Sequence, residues 1–272
     1  MDNQKTFAQR VHDANVNLFR DQARYFDETH FEIFNKLEQK RIISLLKTVD
    51  RLISNNRKSA LDFGAGTGNI TGKLLAMGYK VTAIDISTEM CEILRTKYTG
   101  SIKDRRLTVV TGMIEDTTLK QNEFDLITCY AVLHHLPDYP STIRRLSVFL
   151  RRGGIMLLDH EASSYSLNQR TRRAALLRTA DWLLARELNN RLMRWRGIRY
   201  QRPECSFIAN YWVSEGRHIE DRKISDVFRE QGFSWVKRQD YPSYPYSLFN
   251  PVIFQIRKHL LGSDMSLWIA KK

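Results

Sequence analysis

Apolar residues at steps of three and four open the chain. Phe7, Val11, Ala14 and Leu18 predict a helix within residues 4–22, and Leu45, Leu46, Val49, Leu52 and Ile53 predict a second from Leu37 to Ile53. Between them YFDETHFEIFN, with Tyr25, Phe26, Phe31 and Phe34, is aromatic and irregular. From Ser59 the texture changes to short apolar runs: ALDF (60–63), KVTAID (80–85), LTVV (107–110), FDLITC (124–129) and GIMLLDH (154–160). Helical stretches intervene at roughly 68–77, 87–97 and 139–150, and Gly153-Gly154 reads as the stop of the third. Strand and helix alternating with short loops predict an α/β fold, a parallel sheet with helices on both faces.

The alternation then breaks. Residues 161–221 hold one long basic helical pattern and the aromatic stretch CSFIANYWV. A helix at 222–231, a strand at 233–239 (FSWVKRQ) and a last strand at 265–270 (MSLWIA) follow. On the long pattern Leu177, Ala180, Leu184, Leu188, Leu192 and Trp195 form one apolar stripe.

Composition narrows the class. Hydrophobic content of 42% over 272 residues suffices for a packed core, and no apolar run approaches membrane-spanning length. The start, MDNQKTFAQR, lacks the apolar stretch of a secretion signal. Three cysteines, Cys91, Cys129 and Cys205, are an odd number without a CxxC pair. They point to reduced thiols in a cytoplasmic setting and away from a cysteine metal site, so no metal is expected. The net charge of +13 raises nucleic acid and anionic membrane as partners. The charge is concentrated: between Leu167 and Arg202 ten arginines face Asp181 and Glu187 alone, a local excess of eight.

Three glycines in five positions, in ALDFGAGTGNIT, mark where backbone must come close to something. A P-loop would end in Gly-Lys-Ser/Thr, which is absent. A nicotinamide fingerprint would place its third glycine at position 69, where Asn69 stands; here it is Gly68. An acid, Asp62, lies two residues ahead of the first glycine.

This pattern, D-F-G-A-G-T-G, resembles motif I of the class I S-adenosylmethionine-dependent methyltransferases. Asp85, ending the second strand in VTAIDIS, matches the family's ribose-binding acid, and FDLITCYAVLHHLPD resembles its small-molecule branch, the ubiquinone/menaquinone-biosynthesis type of core. The resemblance covers about residues 58–160 and implies a Rossmann-like, doubly wound sheet of seven strands, mostly parallel with an antiparallel last strand. It implies N-terminal helices (1–57) covering the cofactor, a methyltransferase domain over 58–272, and a helical insertion (161–221) as substrate cap. The implied cofactor is S-adenosyl-L-methionine, giving S-adenosyl-L-homocysteine. Its expected contacts are Asp62, Gly64, Ala65, Gly66, Gly68, Asp85, Ile86, Tyr130 and Tyr25. Where the family usually has Gly-Asp-Ala, this chain reads Gly112-Met113-Ile114, so Met113 and Ile114 are expected to sandwich the adenine apolarly.

A base is needed only for an acceptor that must lose a proton. His160, closing the fifth strand in LLDHEA, is placed either to act as one or to cap a loop; His134 and His135, after the fourth strand, are bases or pocket walls. Cys129 lacks the preceding proline of cytosine-C5 enzymes, and CYAV is not the D/N-P-P-Y/F of enzymes methylating exocyclic base amines. Both count against a nucleic-acid base as acceptor. The arginine segment reads as a solvated helix docked on the sheet, as a lid meeting an anionic small acceptor, or as a surface for lipid or RNA. The functional reading is methyl transfer to a small-molecule or lipid-like acceptor. An RNA methyltransferase and a non-catalytic cofactor-binding scaffold are the alternatives.

Overall fold

The computed structural model describes residues 6–54, 57–162, 219–243 and 263–272, with Glu187, Arg191, Arg194 and Ala209 as isolated positions. The basic stripe and arginine cluster of 167–202, and Cys205, otherwise lie outside the described residues.

Helix α1 (Phe7–Gln22) starts on a capping box, in which Thr6 accepts from the Gln9 backbone N–H and Gln9 returns the bond to the Thr6 N–H. Its buried face is Val11, Ala14, Asn15 and Leu18. The irregular aromatic stretch becomes a 3₁₀ turn (Ala23–Tyr25) and two single-turn helices, α2 (Phe26–Thr29) and α3 (Phe31–Phe34). Four residues are too few to register a 3.6-residue period, which explains their irregular look in sequence. Helix α4 (Lys36–Leu52) begins at Asn35, whose Oδ1 accepts from the N–H groups of Leu37 and Glu38.

The sheet follows as β1 (Ser59–Phe63), α5 (Asn69–Ala76), β2 (Lys80–Asp85), α6 (Thr88–Lys97), the short α7 (Thr99–Lys103) and β3 (Leu107–Thr111). It continues as β4 (Phe124–Tyr130), α8 (Tyr139–Phe149), β5 (Leu150–Ala162), α9 (Asp221–Glu230), β6 (Trp235–Tyr241) and β7 (Met265–Lys271). Its order is β3-β2-β1-β4-β5-β7-β6, parallel through β5, with β7 antiparallel to both β5 and β6. The order reverses at β1/β4, the position where open α/β sheets form a crevice beyond their strand ends.

Side chains alternate between two cores. On β5, Ile155 and Leu157 join Ile42, Leu46 and Leu74 on one face, while Met156 and Leu158 join Tyr139, Ile143 and Phe228 on the other. Two boundaries differ from the sequence reading. Gly153-Gly154 does not stop the helix, which ends at Phe149; β5 starts at Leu150, and its register against β4 shifts there. Gly154 is required by close approach, because a Cβ would sit 2.8 Å from the Asp125 carbonyl oxygen. Strand β6 begins two residues later than expected because Phe233 packs back on Phe228 of α9, ring centroids 4.7 Å apart. The shift carries β6 on to Tyr241. Among the described residues no helix is long and apolar enough to cross a membrane.

Candidate active site

The turn after β1 is built from backbone. Gly64, Gly66 and Gly68 have φ of +70°, +53° and +95°, a region costly for residues with a Cβ. The N–H groups of Gly64 and Ala65 both donate to the Ile84 carbonyl, at 2.8 and 3.0 Å, which locks the turn to the end of β2. Gly66 N–H donates to Asp85 Oδ2 (2.7 Å) and Ser87 N–H to Asp85 Oδ1 (2.9 Å). Burial pushes the Asp85 carboxyl up, and these N–H groups pull it part of the way back. A Cβ at Gly64 would lie 2.3 Å from Val132 Cγ2.

Asp62 lies beneath the turn, 1% exposed, accepting from Thr71 Oγ1 (2.6 Å) and Thr128 Oγ1 (2.9 Å). Burial raises its carboxyl to about 6 against the pull of these hydroxyls. Its place is to brace the turn from below. Gly68 is the N-cap of α5.

Beyond the strand ends lies a cavity of about 430 Å³. Gly64, Ala65, Gly66, Asp85, Ile86 and Gly112 line one end; Phe19, Tyr130, His134, His135 and His160 line the other. Of the stretch expected to meet the adenine, Gly112 is on the wall, Met113 is 39% exposed, and Ile114 is buried in the core with Phe63 and Val132. Tyr25 has the Arg24 guanidinium 5.4 Å from its ring centre, and its neighbour Phe26 lines the cavity. The residues suit an adenosyl cofactor: a turn that a Cβ would fill, a buried carboxylate able to accept from a diol, and apolar walls.

The far end is built from side chains. Between Leu158 and Glu161 the β5–β7 register shifts, so that Asp159 and His160 together oppose Leu267. This bulge turns His160 to a φ of +63°, and Ala131, after the adjoining β4, has +57°. Such strain in non-glycine residues at strand ends accompanies functional sites. His160 is 5% exposed.

Around His160 sit Glu38 and Arg41 of α4, Tyr130 of β4, Asp159 of β5 and Tyr241 of β6. Arg41 forks onto Glu38 through Nε (2.7 Å) and Nη2 (2.5 Å), and Nη2 reaches Asp159 Oδ2 at 2.8 Å. Its guanidinium carbon lies 3.9 Å from the Tyr241 ring centre. Burial pushes the Glu38 carboxyl up, but Arg41 and His160 outweigh it and hold it at about 2. Each tyrosine has a single hydroxyl proton. Tyr130 gives its proton to Glu38 Oε1 (2.7 Å), and Tyr241 gives its proton to Asp159 Oδ1 (2.9 Å). Both phenolic oxygens lie 3.2 Å from His160 Nδ1 and are left only to accept. His160 therefore carries its proton on Nδ1, and in the neutral ring Nε2 is the bare nitrogen.

Glu161, fully buried, accepts from the N–H groups of Val132 (2.8 Å), Leu133 (2.8 Å) and His134 (3.2 Å) and bonds His134 Nδ1 (2.8 Å). It shapes the turn that carries the histidine pair. Burial, then the neighbouring His134, lowers His135 well below the ordinary histidine value, so its ring is neutral. His135 Nδ1 is 2.9 Å from the Ala209 carbonyl, and the Asn15 amide of α1 donates to the His135 carbonyl (3.1 Å). These bonds make His135 a wall. Burial raises the Cys129 thiol well above its usual value, which suits an inert core cysteine.

The sheet order, with its cavity beyond the strand ends and a glycine turn facing a buried acid, defines a Rossmann-like cofactor-binding fold. Residues 61–158 match the methyltransferase domain family, and that stretch is similar to class I S-adenosylmethionine-dependent methyltransferases. The ubiquinone biosynthesis O-methyltransferase of Vibrio parahaemolyticus is 30% identical over 154 residues, 55% of this chain and 63% of that protein. That of Actinobacillus pleuropneumoniae is 32% identical over 105 residues, 38% of this chain and 45% of that one. The chain thus spans less than two thirds of the length of these relatives. Among solved structures, Haemonchus contortus phosphoethanolamine N-methyltransferase 2, with phosphomonomethylethanolamine and S-adenosylhomocysteine, has a TM-score of 0.58 at 14% identity, covering 100% of this chain and 61% of that one. Magnesium protoporphyrin IX methyltransferase from Synechocystis, with bound S-adenosylhomocysteine, has 0.55 at 15%, covering 94% and 99%. At these identities the likeness is one of fold.

Proposed function

We propose that the protein transfers a methyl group from S-adenosylmethionine to a hydroxyl oxygen of a small, largely apolar acceptor, with His160 taking the hydroxyl proton. The observation that carries this reading is His160 on the cavity wall, its Nδ1 engaged by two phenolic oxygens and its Nε2 bare. Gly64, Gly66, Asp85, Ile86 and Gly112 would hold the cofactor. When bound, it supplies a methyl group activated on a sulfonium sulfur.

The chain's own residues hold the acceptor hydroxyl in line and exclude water. His160 Nε2 accepts the proton as the oxygen's electron pair turns to the methyl carbon. Aromatic and aliphatic walls from Phe19, Phe26, Phe34 and Leu136 favour a flat or lipid-like acceptor over a charged one. The O-methyltransferase names of the curated relatives agree with oxygen as the accepting atom. In this reading residues 1–57 cover the cofactor and 161–221 cap the acceptor, which the contact between the Ala209 carbonyl and His135 supports.

Calorimetry with S-adenosylhomocysteine, followed by transfer assays on catechol, a long-chain phenol and a primary amine, tests the proposal. Phenolic oxygen is methylated and the amine is not, and His160→Ala lowers kcat about 10²–10⁴-fold with homocysteine-product affinity unchanged. Transfer that is indifferent to His160→Ala removes His160 as base, and absence of S-adenosylhomocysteine binding removes the whole reading.

A further inference from the structure

The Glu38–Arg41–Asp159 cluster is used by no step above, although it is buried directly behind His160. Glu38 lies outside residues 61–158, on a helix that precedes the matched domain. We infer that Glu38 is the positioning residue that fixes His160 as the Nδ1–H tautomer, so that the N-terminal helix completes the base. This rests on the reading of His160 as the proton acceptor.

Charge and proton counting carry the argument. Every contact on the Glu38 and Asp159 carboxylates is a donor: Arg41 and Tyr130 on the first; Arg41, Tyr241 and the His160 backbone N–H on the second. These donors favour the carboxylate form of both; burial pushes the Asp159 carboxyl up and Arg41, the one positive charge, pulls it back. With His160 neutral the buried group is one positive charge short of balance; with His160 protonated it is balanced. Glu38 Oε1 is the nearer carboxylate oxygen, 3.6 Å from His160 Nδ1, and it also takes the Tyr130 proton that would otherwise compete for the same nitrogen. Burial depresses the His160 ring, while Glu38 and then Asp159 reverse that and bring it above the ordinary histidine value.

The consequence is a shifted pH profile. A base works in its unprotonated form, so raised proton affinity moves the rising limb of kcat/KM to higher pH. Glu38→Gln keeps the shape and the acceptor oxygen for Tyr130 but removes the charge; Glu38→Asp keeps the charge.

The experiment is a pH titration of the histidine ring nitrogens by NMR in the ligand-free full-length protein, paired with pH–rate profiles on catechol. In the wild type, His160 is expected as the Nδ1–H tautomer with a midpoint above about 6.5. Glu38→Gln lowers the midpoint by about one unit or more and moves the rising limb with it, while Glu38→Asp stays within about half a unit of the wild type. S-adenosylhomocysteine binding by each variant checks the fold. A wild-type Nε2–H tautomer overturns the inference, as does a Glu38→Gln variant that binds S-adenosylhomocysteine with an unmoved His160 midpoint. If the NMR midpoint moves and the catechol profile does not, Glu38 tunes His160 as inferred and the base assignment itself fails.

Discussion

The two ends of the cavity are made of different material. At the cofactor end the groups are mostly main chain from one continuous stretch, Gly64 to Gly66, plus a carboxylate nineteen residues on from Gly66 that two backbone N–H groups hold in place. At the acceptor end they are side chains from α1, α4, β4, β5 and β6, tied by charged hydrogen bonds. A backbone site depends on conformation and tolerates much change nearby. A side-chain site depends on every partner being present, since an unmatched buried charge is costly.

The sharpest break of the contrast is at Gly64. Gly64→Ala adds a left-handed penalty and a collision with Val132, together about 3–4 kcal/mol lost from the folded protein, read by thermal unfolding. Calorimetry with S-adenosylhomocysteine should show weaker binding as well, because relieving the collision moves the turn. The acceptor end should lose stability for another reason. Glu161→Ala strands the three N–H groups at the head of the histidine turn and costs about 3 kcal/mol of fold stability, read by urea unfolding. An unchanged midpoint would mean that the turn stands without the carboxylate.

The third test uses acid, and the effect is a little smaller. Glu38 has a folded value of about 2 against an ordinary 4.5, so its contribution is complete above 4.5 and is lost as pH falls from there towards 2. This amounts to about 2–3 kcal/mol for the wild type, and Glu38→Gln should flatten that part of the stability curve. His160 tilts the other way, because its folded value is raised. Its contribution is complete below about 6.5 and is lost as pH climbs through the folded value. A protein whose stability does not respond to pH in either window would show that the cluster is not organised as described.

The same contrast decides what could be read from the chain. Strand β2 was legible to the residue at 80–85, and β1 and β4 to within one residue, because both faces of these strands are buried and their apolar runs stand out. The glycine turn and Asp85 were legible because local spacing carries them. Glu38 fell inside a helical pattern defined by its apolar positions, which does not say where a polar side chain turns; Asn35, three residues earlier, caps the helix. The Glu38 side chain instead turns inward to Arg41 and Tyr130. Tyr241 lay past the expected end of β6. Glu161 was visible beside His160, but its three backbone partners arise only when β4 and β5 lie side by side. Met113 was read as a ring neighbour from its place in a motif, whereas the chain turns there so that Gly112 borders the cavity and Met113 meets solvent.

The Thr67 hydroxyl, inside the glycine turn, donates to Asp27 Oδ1 at 2.5 Å, and Lys97 of α6 pairs with the same carboxylate. The short helices that follow α1 are thus buttoned to the glycine turn itself. Under the proposed function, whatever undoes this small clasp also loosens the grip on the nucleoside.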